Sequence, residues 1–293
     1  MKKYRQVYLM LLPTLILYAL LCYAPMFGTV IAFQKYSITK GILGSKFIGL
    51  GNFIDFLSNY KFWQLMRNTI MLNLYNLVFG FSAPIIFALL LNEIRNERFK
   101  RTVQTITYMP HFISVVVVVS MLLTFVSSDG LINSIRGLFG LEGISFMTEP
   151  KYFRAIYTIS GIWQQLGWNS IIYMAALSAV DVQLYEAARI DGANRWKQML
   201  HVTLPSIIPT IMLLLVMSIG RMLSVGYEKI ILMYNPTIYD TADVISTYVY
   251  RRGLMDGDYG YATAVSLFNS VINLILLRTS DFLSKKATGS GLF

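Results

Sequence analysis

Polar side chains recur at helical spacing inside segments that are otherwise apolar. Gln165, Asn169 and Tyr173 stand at i, i+4 and i+8, on one face of a helix. Trp163 and Gln164 lie beside them. Ser266, Asn269 and Asn273 are spaced in a similar way, Ser218, Arg221 and Ser224 form a third group, and Asn73 with Asn76 a fourth. Amides pair with hydroxyls, and rings stack on the apolar faces of pyranoses, so such a set suits a polyhydroxylated solute. The same side chains also serve as links between membrane helices, and both uses stay open for each residue. Arg221 is the single charge among them. A basic residue at the centre of a membrane helix costs roughly 2.5–3.5 kcal/mol on insertion scales, so it must meet water, a carboxylate or a solute. Facing a cavity, it would favour an anionic solute. Pairing with an acid of another subunit, or snorkelling to the cytoplasmic side, is the alternative.

Covalent chemistry is poorly provided for. Cys22 is the one cysteine, and His111 and His201 stand 90 positions apart, so no Cys/His cluster offers a metal site. No Ser-His-Asp or His-Glu-His constellation is visible. A phosphate-cradling loop needs G-x4-G-K-[ST], and the sequence contains no Gly-Lys pair. The chain is therefore expected to bind no cofactor and to have no ATP site of its own. No Asp or Glu lies well inside an apolar stretch, which argues against a proton-coupled carrier.

The elements that must position these residues follow from composition. Of 293 residues, 55% are hydrophobic and 14% charged, against about 25% charged in a soluble domain. Mean hydropathy is +0.55. About 20 apolar residues are needed to cross a bilayer as a helix, and six stretches qualify: 7–33, 70–91, 106–125, 155–180, 207–225 and 262–283. Each must be helical, because an open strand in lipid leaves backbone groups unpaired. The expected fold is an all-α, polytopic membrane protein, a single domain over 1–293. Lys2, Lys3 and Arg5 precede the first stretch, as in a signal peptide, but its apolar run is too long for one. Cys22 follows Leu21 rather than a small residue, and reads as an ordinary helix position.

The net charge of +10 would point to nucleic acid in a soluble protein. Here it reports orientation, and no nucleic-acid partner is expected. The segments that six spans place with the termini carry a net +7 in short, dense runs; the opposite loops, of about 36, 29 and 36 residues, carry +2. Basic residues close to helix ends mark the cytoplasmic side, so both termini are expected there, in a multi-pass protein of the cytoplasmic (inner) membrane.

One cytoplasmic segment, Asp181 to Pro205, has an organised pattern. Asp181 is a good N-cap for a helix from Val182. Gly192 can take the left-handed conformation that ends it. Asn194 then caps a second short helix through Leu200, and Pro205 sits near the start of the fifth span, where a missing N–H is harmless. The expectation is a helix–turn–helix hairpin on the cytoplasmic face, with Leu184, Met199 and Leu200 packed inward. Within it, Glu186-Ala187-Ala188, Gly192 after three residues, and Val202-Thr203-Leu204-Pro205 after nine more resemble the EAA motif of binding-protein-dependent ABC importer permeases. Val202 for Ile is the one departure, and Asp191-Gly192-Ala193 also matches the family. Further stretches resemble its carbohydrate branch, which includes permeases for plant and algal oligosaccharides and uronic-acid polymers: Tyr23–Gly28 with Ile31–Phe33, Gly41–Ser45, Asn68-Thr69, Arg98–Thr102, Tyr259–Val265 and Leu267–Asn273. The charged run Leu277–Asp281 departs from it and blurs the end of the sixth span.

The resemblance implies a type I ABC importer. This chain would be a transport subunit, not an enzyme, with ATP and Mg used by two separate ATPase subunits. A second, related but different permease chain, an external solute-binding protein and a saccharide would complete the partners. The hairpin would be the coupling helix: Glu186 pairs with a base of the ATPase, Ala187 and Ala188 allow close approach, and Asp191, Gly192, Leu204 and Pro205 shape the turn and its anchor. Gln165, Asn169, Tyr173, Arg221, Asn269 and Asn273 are the candidates for the solute path. The same machinery for a peptide, amino acid or polyamine, and a carrier or scaffold without ATPase coupling, remain rival readings.

Overall fold

The computed structural model describes residues 5–288; Lys2 and Lys3 lie outside the described residues. The chain is all-α apart from one short antiparallel pair, β1 (Gln34–Lys35) with β2 (Lys46–Phe47), in register Gln34↔Phe47. Among the described residues, four helices are long and apolar enough to cross a membrane: Val7–Phe33, Phe62–Asn92, Arg195–Ile219 and Tyr259–Lys286. Two bent pairs raise the number to six when each is taken as one span: Glu97–Phe112 with Val115–Phe125, bent by 101°, and Pro150–Ser178 with Val182–Ile190, bent by 69°.

Two units make up the chain. The first holds residues through Phe62 together with Tyr248–Val271. None of the apolar window of the first span is buried against the rest of the protein, as expected for a surface facing lipid or another subunit. The loop after it is held by polar contacts. Asn52 donates to the carbonyls of Ala32 (2.8 Å) and Gln34 (3.1 Å), and Gln34 donates to that of Ile42 (3.0 Å). Phe56, fully buried, is ringed by Phe62, Tyr248, Tyr261 and Phe268 at 5.1–6.5 Å.

The second unit, Trp63–Thr247 with the residues from Ile272, carries spans two to five. Lipid tails are as apolar as leucine, so helix association in a membrane rests on close packing and polar links. Gly167 of the fourth span illustrates this: a Cβ there would collide with the carbonyl of Thr107 and the ring of Tyr108. One buried cluster joins Leu72, Val119, Phe153, Ile230 and Met233. It fixes the short helix Tyr227–Met233 against spans two, three and four. Another joins Ala88, Tyr173, Leu177 and Ile207, holding spans two, four and five together.

Three details differ from the sequence expectation. The third stretch is not one rod: the helix leaves its course at Met109–Phe112 and restarts at Val115, capped by Ser114. Pro110 has no N–H to continue the first helix. The second arm of the Asp181–Pro205 hairpin does not end at Leu200. Arg195–Gln198 runs through a π turn at Met199–Thr203 into Leu204–Ile219, so this arm is the start of the fifth span. That span closes at Ile219 rather than Val225, and Arg221 is therefore not at a helix centre. It sits in the turn just past the C-terminus, where the helix dipole favours a cation. The sixth helix continues without a break through Arg278 and Asp281 to Thr288.

Candidate translocation path and coupling hairpin

The hairpin is built as its caps dictate. The Asp181 carboxylate accepts from the Gln183 amide at 2.9 Å, and the Asn194 side chain from Lys197 at 2.9 Å. Each cap of this kind contributes about 1 kcal/mol. Gly192 has φ +76°, a conformation that costs any L residue roughly 1–2 kcal/mol. The Ala193 amide closes back on the Ala188 carbonyl at 2.9 Å. Between the arms, the Tyr185 hydroxyl meets Thr203 Oγ1 at 3.0 Å. Glu186, Ala187 and Asp191 are exposed, Ala188 is partly covered, Leu204 packs against the Tyr173–Ile207 cluster, and Pro205 is exposed. Met199 is buried as expected, whereas Leu184 and Leu200 are half exposed. Ile190 and Trp196 project further, at 87% and 65% exposure. A carboxylate flanked by small residues and bare apolar side chains is thus offered on a rigid two-armed support.

Two cavities adjoin the middle of the fourth span. One, of about 450 Å³, is lined by Asn169, Tyr173, Trp168, Phe81 and Arg221 among others. The second, of about 220 Å³, is lined by Gln164, Gln165, Asn169, Asn76, Tyr157 and Lys229 among others. Gly80 and Asn169 line both. The second span opens here through a π turn, Asn76–Gly80, a distortion frequent at functional sites. Pro84, inside the following helix, removes the amide that would bond to the Gly80 carbonyl.

Four of the six path residues anticipated from sequence, Gln165, Asn169, Tyr173 and Arg221, thus line these cavities. Gln165 is also tied to the third span's turn: its Oε1 accepts from His111 Nδ1 at 2.9 Å, and the His111 ring stacks on Trp168 at 4.2 Å. Asn273 lines neither cavity. It accepts from the Leu223 amide at 2.9 Å and donates to Ser224 Oγ at 2.8 Å, a link between the sixth helix and the turn after the fifth. Asn269 lines neither cavity and belongs to the other unit.

Two cavity residues, Lys229 and Trp168, are absent from the set anticipated from sequence. Lys229 is on the short helix Tyr227–Met233, beyond the fifth span. Its Nζ donates to the Tyr157 carbonyl at 3.1 Å and lies 4.8 Å from the Tyr157 ring centre. Burial pushes its pKa down to about 8. No local pattern marks it; only the packing of Ile230 and Met233 brings it to the cavity.

Comparison with known proteins gives a consistent picture. Residues 80–289 match the family described as binding-protein-dependent transport system inner membrane component. The chain is 45% identical to the polygalacturonan/rhamnogalacturonan transport system permease protein YteP of Bacillus subtilis (strain 168), over 99% of this chain and 90% of that one. It is 42% identical to protein LplB of the same organism, over 100% and 92%. Among solved structures, a chain of the bacterial alginate ABC transporter, crystallised with an alginate pentasaccharide-bound periplasmic protein, superposes with TM-score 0.91 at 41% identity, covering 99% of this chain and 98% of that one. With the six-span architecture, these likenesses place the chain in one family: it belongs to the inner membrane components of binding-protein-dependent transport systems.

Proposed function

We propose that this chain is the membrane-spanning subunit of an ATP-driven importer that takes up an acidic, uronate-containing oligosaccharide handed over by an external binding protein. The polymers in the names of its relatives, polygalacturonan and alginate, carry a carboxylate on their uronate sugars. The observation that carries the solute class is the joining of amides, aromatic rings and a cation, Asn169, Tyr173, Trp168 and Arg221, around one cavity of about 450 Å³. Asn169 offers hydroxyl partners, Trp168 and Tyr173 offer ring faces, and Arg221 offers a charge to a carboxylate.

Energy would come from elsewhere in the complex. Two ATPase subunits, using ATP and Mg, would receive the hairpin in a groove, with Glu186 against a basic residue and Ala187 and Ala188 against the groove wall. Asp191 and Gly192 set the turn, and Leu204 and Pro205 transmit the movement into the fifth span. A second, related permease chain would complete the pore, with both termini of this one in the cytoplasm. Closure of the ATPases then biases the spans between inward-facing and outward-facing states.

The test is ATP hydrolysis and uptake by the assembled importer in proteoliposomes. Glu186→Ala is expected to leave the permease folded, since the side chain is exposed, and to abolish stimulation of ATP hydrolysis by the loaded binding protein. Stimulation at the unmodified level would refute the coupling role.

A further inference from the structure

Lys229 is a cation without a counter-charge. It forms no ion pair among the described residues. Its one hydrogen bond, to the Tyr157 carbonyl, leaves two of three ammonium donors for other use. Desolvating an ammonium without a carboxylate is costly, and a strut between two helices would need no charge at all. The space before it is polar. Gln164 spends Nε2 on the Ile113 carbonyl at 3.2 Å, and Gln165 spends Oε1 on His111. Gln164 Oε1 and the Gln165 amino group thus remain as acceptor and donor beside Lys229 in the same cavity. That cavity shares Gly80 and Asn169 with the walls of the Arg221 cavity.

We infer that Lys229 with Gln165 and Asn169 forms a second carboxylate subsite, with Gln164 Oε1 left to accept from a sugar hydroxyl, so that two uronate units of one chain are held in succession by Lys229 and Arg221. The assignment rests on the proposed reading of these cavities as the path of an acidic saccharide. Asn169, common to both cavities, meets the saccharide between the two charges. Binding a carboxylate supplies the counter-charge that Lys229 lacks among the described residues, and raises the proton affinity that burial has lowered. The subsite is therefore cationic near neutrality and weakens as pH passes about 8. The charged and titratable groups near Lys229 are few. Tyr157 is the other titratable residue lining this cavity. The helix Val115–Phe125 packed against the Tyr227–Met233 helix has none, and that helix itself adds Tyr227 and Glu228.

The experiment uses the complete importer in proteoliposomes with its binding protein, and trigalacturonate as probe. Lys229→Gln should lower uptake about tenfold, the worth of a hydrogen bond to a charged group. Lys229→Arg should stay within about twofold of the unmodified protein, since it keeps the charge. The ratio of Lys229→Arg to unmodified uptake should also rise from about pH 7 to about pH 9.5, because arginine does not titrate there. This last measurement needs no neutral variant, and so survives a Lys229→Gln chain that fails to assemble. Equal loss with Gln and Arg together with a flat pH ratio marks a strut, and unmodified uptake by Lys229→Gln marks an idle residue; either overturns the subsite. An unmodified importer that takes up no trigalacturonate refutes the acidic-saccharide reading, and the subsite falls with it.

Discussion

Arg221 and Asn273 looked alike as polar intrusions in apolar runs, and the fold gives them different work. Asn273 is spent on the Leu223 amide and Ser224, and so secures the very turn from which Arg221 projects. Arg221 is exposed on the cavity wall. Side-chain type alone could not separate the two, because an amide in lipid is equally useful to a neighbouring helix and to a sugar. The i, i+4, i+8 spacing of Gln165, Asn169 and Tyr173 was more informative: a shared face places all three at one or both cavities. Lys229 was invisible because its position depends on contacts made far away in sequence. At this scale Arg221→Gln is expected to lower trigalacturonate uptake by about tenfold, with Arg221→Lys losing much less. If Arg221 and Lys229 hold different carboxylates, the losses in the double Gln variant multiply. Unmodified uptake by Arg221→Gln would remove this residue from the path.

Among the elements, caps and special backbone positions were readable and changes of direction were not. Asp181, Gly192 and Asn194 act locally, so their types predict their geometry. The break at Met109–Ser114 is also local in cause, but hydropathy averaged over a window cannot see a 101° turn, and Ile113–Val119 reads as the middle of a straight span. The merger of the hairpin's second arm with the fifth span depends on the π turn Met199–Thr203, which has no strong sequence mark. The fourth span, at 29 residues, is the least apolar of those around the cavities because one face must carry Gln164, Gln165 and Asn169. Its closest approach to the third span, beside the Gln165–His111 and Gln164–Ile113 hydrogen bonds, is the bare backbone contact at Gly167. Gly167→Val should drive a branched side chain into the Thr107 carbonyl and the Tyr108 ring, at a cost of about 1–3 kcal/mol. The expected outcome is a lower thermal midpoint and a smaller yield of assembled complex, measured by fluorescence-detected size exclusion. A midpoint equal to that of the unmodified protein would mean that the third and fourth spans meet less closely than described.

For the whole molecule, the question is which face looks into the cell. With Arg221 in the turn past the fifth span, the charge asymmetry between the two sets of loops is +7 against +3, and the positive-inside rule argues for cytoplasmic termini. The same orientation would put the exposed apolar hairpin on the side where the proposed ATPase subunits act. Cys22 makes the matter testable, because it is the one thiol in the chain. In a Cys22→Ser background a single new cysteine reports its own side of the membrane. Ile190, 87% exposed on the hairpin, and Leu138, 85% exposed in the loop between spans three and four, are suitable positions because neither side chain is buried. With intact cells and a membrane-impermeant maleimide, Leu138→Cys should label and Ile190→Cys should not; opening the cells should expose Ile190→Cys as well. The reverse pattern would invert the chain, move the hairpin away from any ATPase and overturn the coupling mechanism, while leaving the six-span fold and the cavity geometry untouched. Labelling of neither position in opened cells would show both covered in the assembled complex, and the same measurement on the permease chain expressed alone then reads the orientation.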